Sequence, residues 1–301
     1  MVMTYQQLYS AARNTLRKTE GERAAVLARE LVAFAAGKSV ARLLADFPDL
    51  APEPVIRKTD ALVERAAQGE PLAYLLGQWD FHGMTLRVTP AVLIPRDDTE
   101  VVTGMAIARA RYLERNPRVL DLCCGSGCIG LAIARSTADA RVTLGDLSRP
   151  ALQVARQNVR DLGLSGRVTC LPVDAKQPAS AFLGQFDMIV SNPPYVTRAD
   201  MAGLDRSVRC YEPAMALDGG EDGLDFYRAI ILNFGPAVKP GGWLLFEFGM
   251  GQENAVGQML AAAGFENLVF RADTGGIPRA VMARSPLPPA EAPEDGLPGN
   301  W

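Results

Sequence analysis

The sequence has almost no histidine, since His82 is the only one in a chain of 301 residues. A metal site that needs two imidazole ligands is therefore excluded, and we expect no metal. The pattern around His82 is that of a turn between two short strands, so we interpret it as a turn residue rather than a general base. The five cysteines are too few for a disulfide framework in a chain of this length.

The chain also lacks a block of basic residues and a long apolar run. Its 31 basic and 34 acidic residues give a net charge of −3, which argues against a surface for duplex nucleic acid. No apolar run is long enough to span a bilayer, and Gln6, Gln7 and Arg13 interrupt any signal-peptide pattern. We expect a cytoplasmic monomer with no membrane association and no direct nucleic-acid partner.

Helix and strand patterns divide the chain into four parts. Residues 1–76 predict a helical domain of four or five short helices, one of them begun by a capping box at Thr19 and Glu22. Residues 77–89 alternate around a turn signal and predict a β-hairpin connector. Residues 90–286 predict the main domain, and residues 287–301, rich in Pro, Ala, Glu and Gly, predict a disordered tail.

From residue 118 onward, strand and helix patterns alternate, which predicts an α/β fold with helices on both faces of a mostly parallel sheet. The strands are predicted at residues 118–123, 141–146, 168–173, 186–191, 243–249, 266–272 and 279–285. The helices are predicted at residues 127–136, 149–162, 223–236 and 252–263. The long segment 195–222 interrupts this alternation, and we expect it to cover a substrate.

A proline-rich turn follows the predicted strand 186–191. Pro193 and Pro194 stop the strand, because neither has an N–H to donate, and they hold Asn192 extended at its carboxyl end. The Asn192 amide and the backbone carbonyls of the turn can together hold both N–H groups of a planar NH₂, and the Tyr195 ring can cover its face. The turn therefore indicates a site that presents an amide or aryl amine as a nucleophile; the alternative is a turn that merely ends the strand.

A glycine-rich loop follows the first predicted strand of the main domain. Gly125, Gly127 and Gly130 match the G-x-G-x-x-G pattern of dinucleotide sites, so NAD is one candidate cofactor. Asp121 would oppose a pyrophosphate but suits the ammonium group of an amino-acid-like ligand. Asp146 ends the next strand roughly 20 residues further on, where a carboxylate can accept the ribose hydroxyls. S-adenosylmethionine has no phosphates and fits this set better.

Small side chains surround the same loop. We interpret Cys123, Cys124 and Cys128 as small residues packed near the cofactor, because their spacing leaves no fourth metal ligand. Asp174 or Ala175, after the third strand, is expected near the adenine. Ahead of the loop, residues 95–100 either begin a helix, with Asp98 or Thr99 as its cap, or line a ligand pocket; both interpretations are equally supported.

Taken together, these motifs resemble the bacterial protein-glutamine N5-methyltransferases, and among them those that act on peptide chain release factors. The resemblance covers residues 70–285 and rests on residues 93–100, 120–122, 125–127, 146, 192–195, 211–213, 220–225 and 247–249. It implies a seven-stranded class I methyltransferase domain behind a small all-α N-terminal domain, with S-adenosylmethionine as cofactor and S-adenosylhomocysteine as product. The implied substrate is the glutamine of a Gly-Gly-Gln tripeptide in release factors 1 and 2.

The site residues that follow from the motifs and the resemblance fall into three sets. The catalytic turn is Asn192, Pro193, Pro194 and Tyr195. The cofactor contacts are Asp121, Cys123, Cys124, Gly125, Ser126, Gly127, Asp146, Ala175 and Asn192. The substrate contacts are the same turn, residues 192–195, together with Arg96, Thr99 and Glu100.

The chain departs from the family pattern at three points. Asp97 stands where the family usually has proline, and Ala175 replaces an aromatic residue near the adenine. The loop at residues 123–127 is more similar to the sister enzymes that methylate a ribosomal protein, whereas residues 98–100 have the release-factor pattern. A ribosomal-protein glutamine methyltransferase, an N6-adenine methyltransferase acting on nucleic acid and a NAD(P)-dependent oxidoreductase therefore stay as alternatives.

Overall fold

The computed structural model describes residues 2–287, so the predicted tail lies outside the described residues except for Leu287. The helices are α1 (Tyr5–Glu20), α2 (Ala24–Ala36), α3 (Val40–Ala45), α4 (Glu53–Ala67), α5 (Leu72–Leu76), α6 (Thr99–Ala110), α7 (Cys128–Ser136), α8 (Arg149–Asp161), α9 (Arg206–Tyr211), α10 (Asp225–Phe234) and α11 (Glu253–Ala262). The strands are β1 (Gln78–Phe81), β2 (Met84–Arg87), β3 (Arg118–Leu122), β4 (Arg141–Asp146), β5 (Val168–Pro172), β6 (Phe186–Ser191), β7 (Val238–Glu247), β8 (Glu266–Ala272) and β9 (Pro278–Arg284). None of the helices in this part of the chain is long and apolar enough to cross a bilayer.

The N-terminal region is helical, as predicted, and helices α1 to α5 pack around a hydrophobic core of their own. Thr4 caps α1 through a capping box, in which its hydroxyl accepts from the Gln7 N–H and the Gln7 side chain accepts from the Thr4 N–H. The predicted capping box at Thr19 and Glu22 is wrong. Thr19 lies in the last turn of α1, where its hydroxyl donates to a backbone carbonyl one turn earlier, because the box at Thr4 has already started the helix.

The predicted β-hairpin is present, and β1 and β2 pair through a two-residue turn. His82 and Gly83 form this turn with φ angles of 47° and 69°, the left-handed pair that a type I′ hairpin requires. The hairpin is fixed to α8, since the Asn158 side chain accepts from the Arg87 N–H at 2.7 Å and donates to the Arg87 carbonyl at 3.1 Å. His82 is therefore a turn residue, as expected.

The main sheet has seven strands in the order β5-β4-β3-β6-β7-β9-β8. The first five strands in this order, β5, β4, β3, β6 and β7, are parallel to one another. Strand β9 runs antiparallel to both β7 and β8. Neighbouring residues such as Val119 and Leu120 belong to different hydrophobic clusters, so both faces of the sheet are buried against helices. This confirms the predicted α/β class I sheet, whose connections reverse direction between β3 and β6.

Two details of the sheet differ from the predictions. Strand β7 begins at Val238, five residues before the predicted start, because Val238 pairs with Phe186 and a register shift before Met188 accommodates the proline and glycines that follow. The segment 195–222 contains α9, and a parallel bridge between Val196 and Asp218 closes it into a loop. The loop thus returns to the chain just after the proline turn.

A small hydrophobic cluster joins the N-terminal helices to the sheet domain. Tyr74 of α5 is buried there with Val88, Val92 and Ile94, and its hydroxyl donates to the Val92 carbonyl at 2.7 Å. Tyr211, at the end of α9, packs against the same cluster and donates to the backbone of the α4–α5 connection. The two parts of the chain therefore share apolar surface as well as a covalent link.

Candidate active site

A cavity of about 280 Å³ opens at the carboxyl ends of the central parallel strands. Its floor is made by the segments that follow β3, β4, β5 and β6, and its walls come from residues 91–99 and 213–216. The volume is just below the ~300–1,000 Å³ that is usual for small-molecule sites. The position, beside the point where the strand order reverses, is where open parallel sheets bind ligands.

Most of the predicted site residues line this cavity. From the cofactor set, these are Cys123, Cys124, Gly125, Ser126, Asp146 and Ala175. From the catalytic and substrate sets, these are Asn192, Pro194, Arg96 and Thr99. Asp121, Gly127, Pro193, Tyr195 and Glu100 lie around the cavity without lining it.

The glycine loop is shaped by left-handed backbone conformations. The φ angles are 60° at Cys123, 54° at Gly125 and 83° at Gly127. A Cβ atom on Gly127 would lie 2.8 Å from the Leu144 side chain, and one on Gly130 would lie closer to it still. The later two glycines therefore let α7 pack closely on β4. A Cβ atom on Gly125 would meet no other atom within 4 Å, so that glycine is required by its φ angle.

Asp146 ends β4 and holds the glycine loop in place. One carboxylate oxygen accepts from the Gly125 N–H at 2.9 Å, and the other accepts from the Ser148 N–H at 2.8 Å. Burial raises the pKa of Asp146 above its ordinary value, while the backbone N–H donors, Gly125 first, oppose that rise. Each oxygen keeps a further lone pair, so the carboxylate can still accept hydroxyl donors from a ligand in the cavity.

Asp121 lies behind the loop and is buried. One of its oxygens accepts from the Gly130 N–H at 2.8 Å, and the other has no hydrogen-bond partner within the described residues. Burial raises its pKa to about 7, and the nearby Asp146 carboxylate adds to the rise. The predicted contact of Asp121 with an ammonium group stays a prediction, because the side chain does not line the cavity.

A buried polar group lies at the ends of β6 and β7. The Asn192 side-chain amide donates to the Thr99 hydroxyl at 3.2 Å, and Glu247 ends the neighbouring strand with its side chain 1% exposed. Burial raises the pKa of Glu247 to about 7, against the opposing effect of hydrogen bonding to Thr99 and Asn192. Glu247 was not among the predicted site residues, although an acid at the end of an apolar strand is a signal that the sequence contains.

Two predicted substrate residues have other contacts. Tyr195 is largely buried, its carbonyl accepts from the Gln252 amide at 3.1 Å, and its ring packs against Gly249. The Glu100 carboxylate accepts from the His82 N–H at 3.1 Å and so faces the hairpin. Asp98 occupies the N-cap position of α6 but makes no capping hydrogen bond, and pairs with Arg279 at 3.0 Å instead.

The loop between Val196 and Asp218 forms one wall of the cavity, and its expected role in covering a substrate stays a prediction. Glu212 fixes it there, because this buried carboxylate pairs with Arg96 and accepts from the Ile94 N–H at 3.1 Å. Pro213, Met215 and Ala216 follow it and line the cavity. Arg96 therefore serves the wall of the cavity in this structure, with its charge engaged by Glu212.

An aromatic side chain lies near Ala175 although none was predicted. Phe226, in the first turn of α10, lines the cavity together with Asp174, Ala175 and Lys176. The Lys176 ammonium lies 4.4 Å from the centre of the Phe226 ring. An aromatic ring from a different element therefore lines the cavity together with Ala175.

The lining of the cavity carries few positive charges. Among the described residues, its only cationic side chains are Arg96 and Lys176; Arg96 pairs with Glu212, and Lys176 lies 3.9 Å from Asp225. The hydroxyls of a ribose would find an acceptor in the Asp146 carboxylate. The sheet order, the glycine loop and this carboxylate define a class I S-adenosylmethionine-dependent methyltransferase.

Comparison with known proteins agrees with this class. Residues 106–205 match the model of the methyltransferase small domain family, and residues 7–77 match that of the PrmC N-terminal domain. The release factor glutamine methyltransferase of Geobacter sulfurreducens is 44% identical over 74% of this chain and 76% of its own length. That of Bradyrhizobium diazoefficiens is 38% identical over 95% of this chain and 97% of its own length.

Solved structures share the fold. The catalytic domain of hMettl16 aligns with a TM-score of 0.54 at 14% identity, over 81% of this chain and 91% of that domain, a likeness of fold alone. The identity and coverage of the two bacterial relatives go further. This chain belongs to the release factor glutamine methyltransferase family, as the resemblance implied.

Proposed function

We propose that this protein transfers a methyl group from S-adenosylmethionine to the side-chain nitrogen, N5, of the glutamine in the Gly-Gly-Gln tripeptide of release factors 1 and 2. The observation that carries the proposal is the position of Asn192. It lines the cavity directly after β6, and its amide NH₂ is occupied by Thr99, which leaves its carbonyl oxygen to accept from a substrate amide. The homologues' names, which specify release factor glutamine, supply the substrate class.

Catalysis in this site is chiefly orientation. The bound cofactor supplies an electrophilic methyl group. Asn192 accepts one N–H of the glutamine amide, and a backbone carbonyl of the proline turn accepts the other, so the nitrogen lone pair is directed toward the cavity. An amide nitrogen is a weak nucleophile, and holding it in this geometry is worth more than a base. Its proton can leave after the nitrogen–carbon bond has formed.

The cofactor is held by the loop and by the strand ends. Asp146 accepts the ribose hydroxyls, Gly125 lets the backbone approach the ligand closely, and Phe226 covers the adenine in place of an aromatic residue at position 175. These assignments are supported by the lining of the cavity and by the spare lone pairs of Asp146. Asp121 acts from behind the loop, where its buried carboxyl affects the electrostatic potential of the amino-acid end.

The partner is a folded protein rather than nucleic acid. The net charge of −3 and the separate core of helices α1 to α5 support a role for residues 1–76 in docking the release factor. Residues 77–89 connect this helical domain to the methyltransferase domain at residues 90–286. We propose that the enzyme works as a monomer in the cytoplasm, because one chain supplies both the cavity and the proline turn.

The test is to incubate the protein with labelled S-adenosylmethionine and, separately, a release factor, a ribosomal protein or DNA, and to locate the label by mass spectrometry. We expect N5-methylglutamine in the Gly-Gly-Gln tripeptide. Asn192→Ala should lower the single-turnover rate by ~10²–10³ while cofactor affinity stays close to wild type. Label in ribosomal protein or DNA alone would contradict the proposed substrate, and an active Asn192→Ala variant would contradict the amide contact. Tyr195→Phe should retain more activity than Tyr195→Ala, because the ring and not the hydroxyl is assigned the role.

A further inference from the structure

The buried carboxyl of Glu247 lies beside the amide that we assign to substrate binding. Strands β6 and β7 are parallel with Ser191 opposite Phe246, so the next residues, Asn192 and Glu247, are neighbours at the carboxyl edge of the sheet. Thr99 begins α6 directly above them, and its hydroxyl accepts from the Asn192 NH₂ at 3.2 Å. The three side chains form one polar group, in which Thr99 and Glu247 are buried and Asn192 borders the cavity.

The number of protons available fixes which group donates and which accepts in these hydrogen bonds. A threonine hydroxyl has one proton, and because that of Thr99 accepts from Asn192, it can donate its own proton to Glu247. If the Asn192 amide were reversed, its carbonyl oxygen would face the hydroxyl and the carboxyl, and the NH₂ would face the cavity. At a pH above its pKa of about 7, Glu247 is ionised and offers that oxygen no donor, so the reversed orientation is disfavoured there.

The other charges near Glu247 do not replace this interaction. Asp98 and Tyr195 interact electrostatically with Glu247, and so does the cation Arg279. Arg279 is engaged by Asp98 at 3.0 Å and by Asp273 at 2.9 Å. One oxygen of Glu247 has no hydrogen-bond partner within the described residues. Burial raises the pKa of Glu247, and hydrogen bonding to Thr99 and Asn192 opposes that rise, so these two side chains are the hydrogen-bonding groups beside its carboxyl.

We propose that Glu247 is a positioning residue, which acts through Thr99 to hold the Asn192 carbonyl oxygen toward the cavity and so makes the site select a primary amide over a carboxylate. This rests on the proposed function. A carbonyl oxygen facing the cavity accepts from the N–H of a glutamine side chain. A glutamate carboxylate has no such donor, so two acceptor oxygens would face each other. Glutamine and glutamate are nearly equal in size, so shape alone separates them poorly.

The test compares two release factors. One has its natural Gly-Gly-Gln and is the substrate; in the other, that glutamine is changed to glutamate, and it is used as a competitive inhibitor. Glu247→Gln places an NH₂ donor beside Asn192 and permits the reversed amide. We expect kcat on the natural release factor to fall by about 10²-fold, as for a lost oriented contact at a reacting centre. The preference for glutamine over glutamate should fall at least about tenfold, while the Kd of S-adenosylmethionine stays within about twofold.

Two threonines on α6 provide a test position, Thr99, and its matched control, Thr103. Thr99→Val removes the link between Asn192 and Glu247 and should reproduce the loss of preference, and Thr99→Ser should restore it. Thr103 lies one turn further along, is equally buried and donates to the Thr99 carbonyl at 2.8 Å, but it makes no hydrogen bond to Asn192. Thr103→Val should therefore leave the preference unchanged. The Thr99 variants also decide the question if Glu247→Gln does not fold.

The outcomes are distinct. A wild-type protein that methylates no release factor overturns the proposed function, and this inference with it. A wild-type protein that methylates glutamine, together with Glu247→Gln and Thr99→Val variants that keep its rate and its glutamine preference, overturns this inference alone. A lower rate with an unchanged preference also overturns it, because a purely structural role for Glu247 predicts that result.

Discussion

Removal of the Asp146 carboxylate should weaken cofactor binding more than it weakens the fold. Both carboxylate oxygens already accept one backbone N–H each, from Gly125 and Ser148, and both can accept a ribose hydroxyl as well. A hydrogen bond to a charged group is worth about 1.5–3 kcal/mol. Asp146→Ala should therefore raise the Kd of S-adenosylmethionine by roughly 10- to 150-fold.

The same substitution leaves two backbone N–H groups without acceptors. They face a cavity that water can enter, so we expect the free energy of unfolding to fall by only about 1–2 kcal/mol. Isothermal titration calorimetry gives the affinity, and urea unfolding gives the stability. Asp146→Asn retains one acceptor but turns an NH₂ toward a backbone donor, and its affinity should lie between those of wild type and Asp146→Ala.

Asp187 provides the control for this experiment. Its carboxylate accepts from the Arg118 N–H at 2.8 Å and pairs with Lys239 at 2.7 Å, but it lies near the amino ends of β3 and β6, away from the cavity. Asp187→Ala should lower stability to a similar extent and leave the cofactor Kd unchanged. A folded Asp146→Ala protein with wild-type affinity would refute the ribose contact, and an Asp187→Ala protein with the same loss of affinity would show that the loss is not local.

The other predictions concern packing, pH and the adenine. Gly130→Ala should lower the free energy of unfolding by about 1–3 kcal/mol, because its Cβ would overlap a core side chain. Gly104→Ala should raise the free energy of unfolding by about 0.5–1 kcal/mol, because Gly104 lies within α6 and has open space where its Cβ would be. Thermal denaturation tests both substitutions. Asp121 and Glu247 each have a folded-state pKa of about 7, above their ordinary values of 3.8 and 4.5, so the folded state holds both protons longer than the unfolded chain. The resulting stabilisation is complete below pH ~4 and is lost as the pH rises through 7. The loss for each group is roughly 3–4 kcal/mol. In urea unfolding, the free energy of unfolding should therefore depend less on pH in Asp121→Asn and Glu247→Gln than in wild type. Phe226→Ala should weaken S-adenosylmethionine by ~1–3 kcal/mol, the usual value of base–aromatic stacking, and equal affinities in calorimetry would contradict the adenine contact.

The parts of the site that could be predicted are those that local patterns encode. The strand–turn–helix pattern of the sequence places Gly125 and Asp146 at or just after the ends of neighbouring parallel strands. Two prolines fix the extended backbone at Asn192. Such features depend on residues close together in the sequence. The α/β fold followed from the same alternation of strands and helices.

The missed features depend on contacts between distant parts of the chain. The pairing of Arg96 with Glu212 decides that Arg96 holds the cavity wall, and no local pattern connects residues so far apart. Phe226 reaches the cavity from α10, and its role becomes visible only when α10 is placed beside the segment after β5. The capping box assigned to Thr19 failed because a pattern that fits a helix start also occurs within a helix.

The cluster around Tyr74 has a consequence for cooperativity. If residues 1–76 were cut away, the apolar surface of Val92 and Ile94 would lose its cover, and these residues lead directly into the cavity wall. The helical part and the sheet part are thus coupled energetically, and calorimetry should show one unfolding transition rather than two. Hydrogen exchange in α5 should require the same opening as exchange in the central strands, and a ligand that stabilises the helices would then slow the exchange of amides as far away as β3.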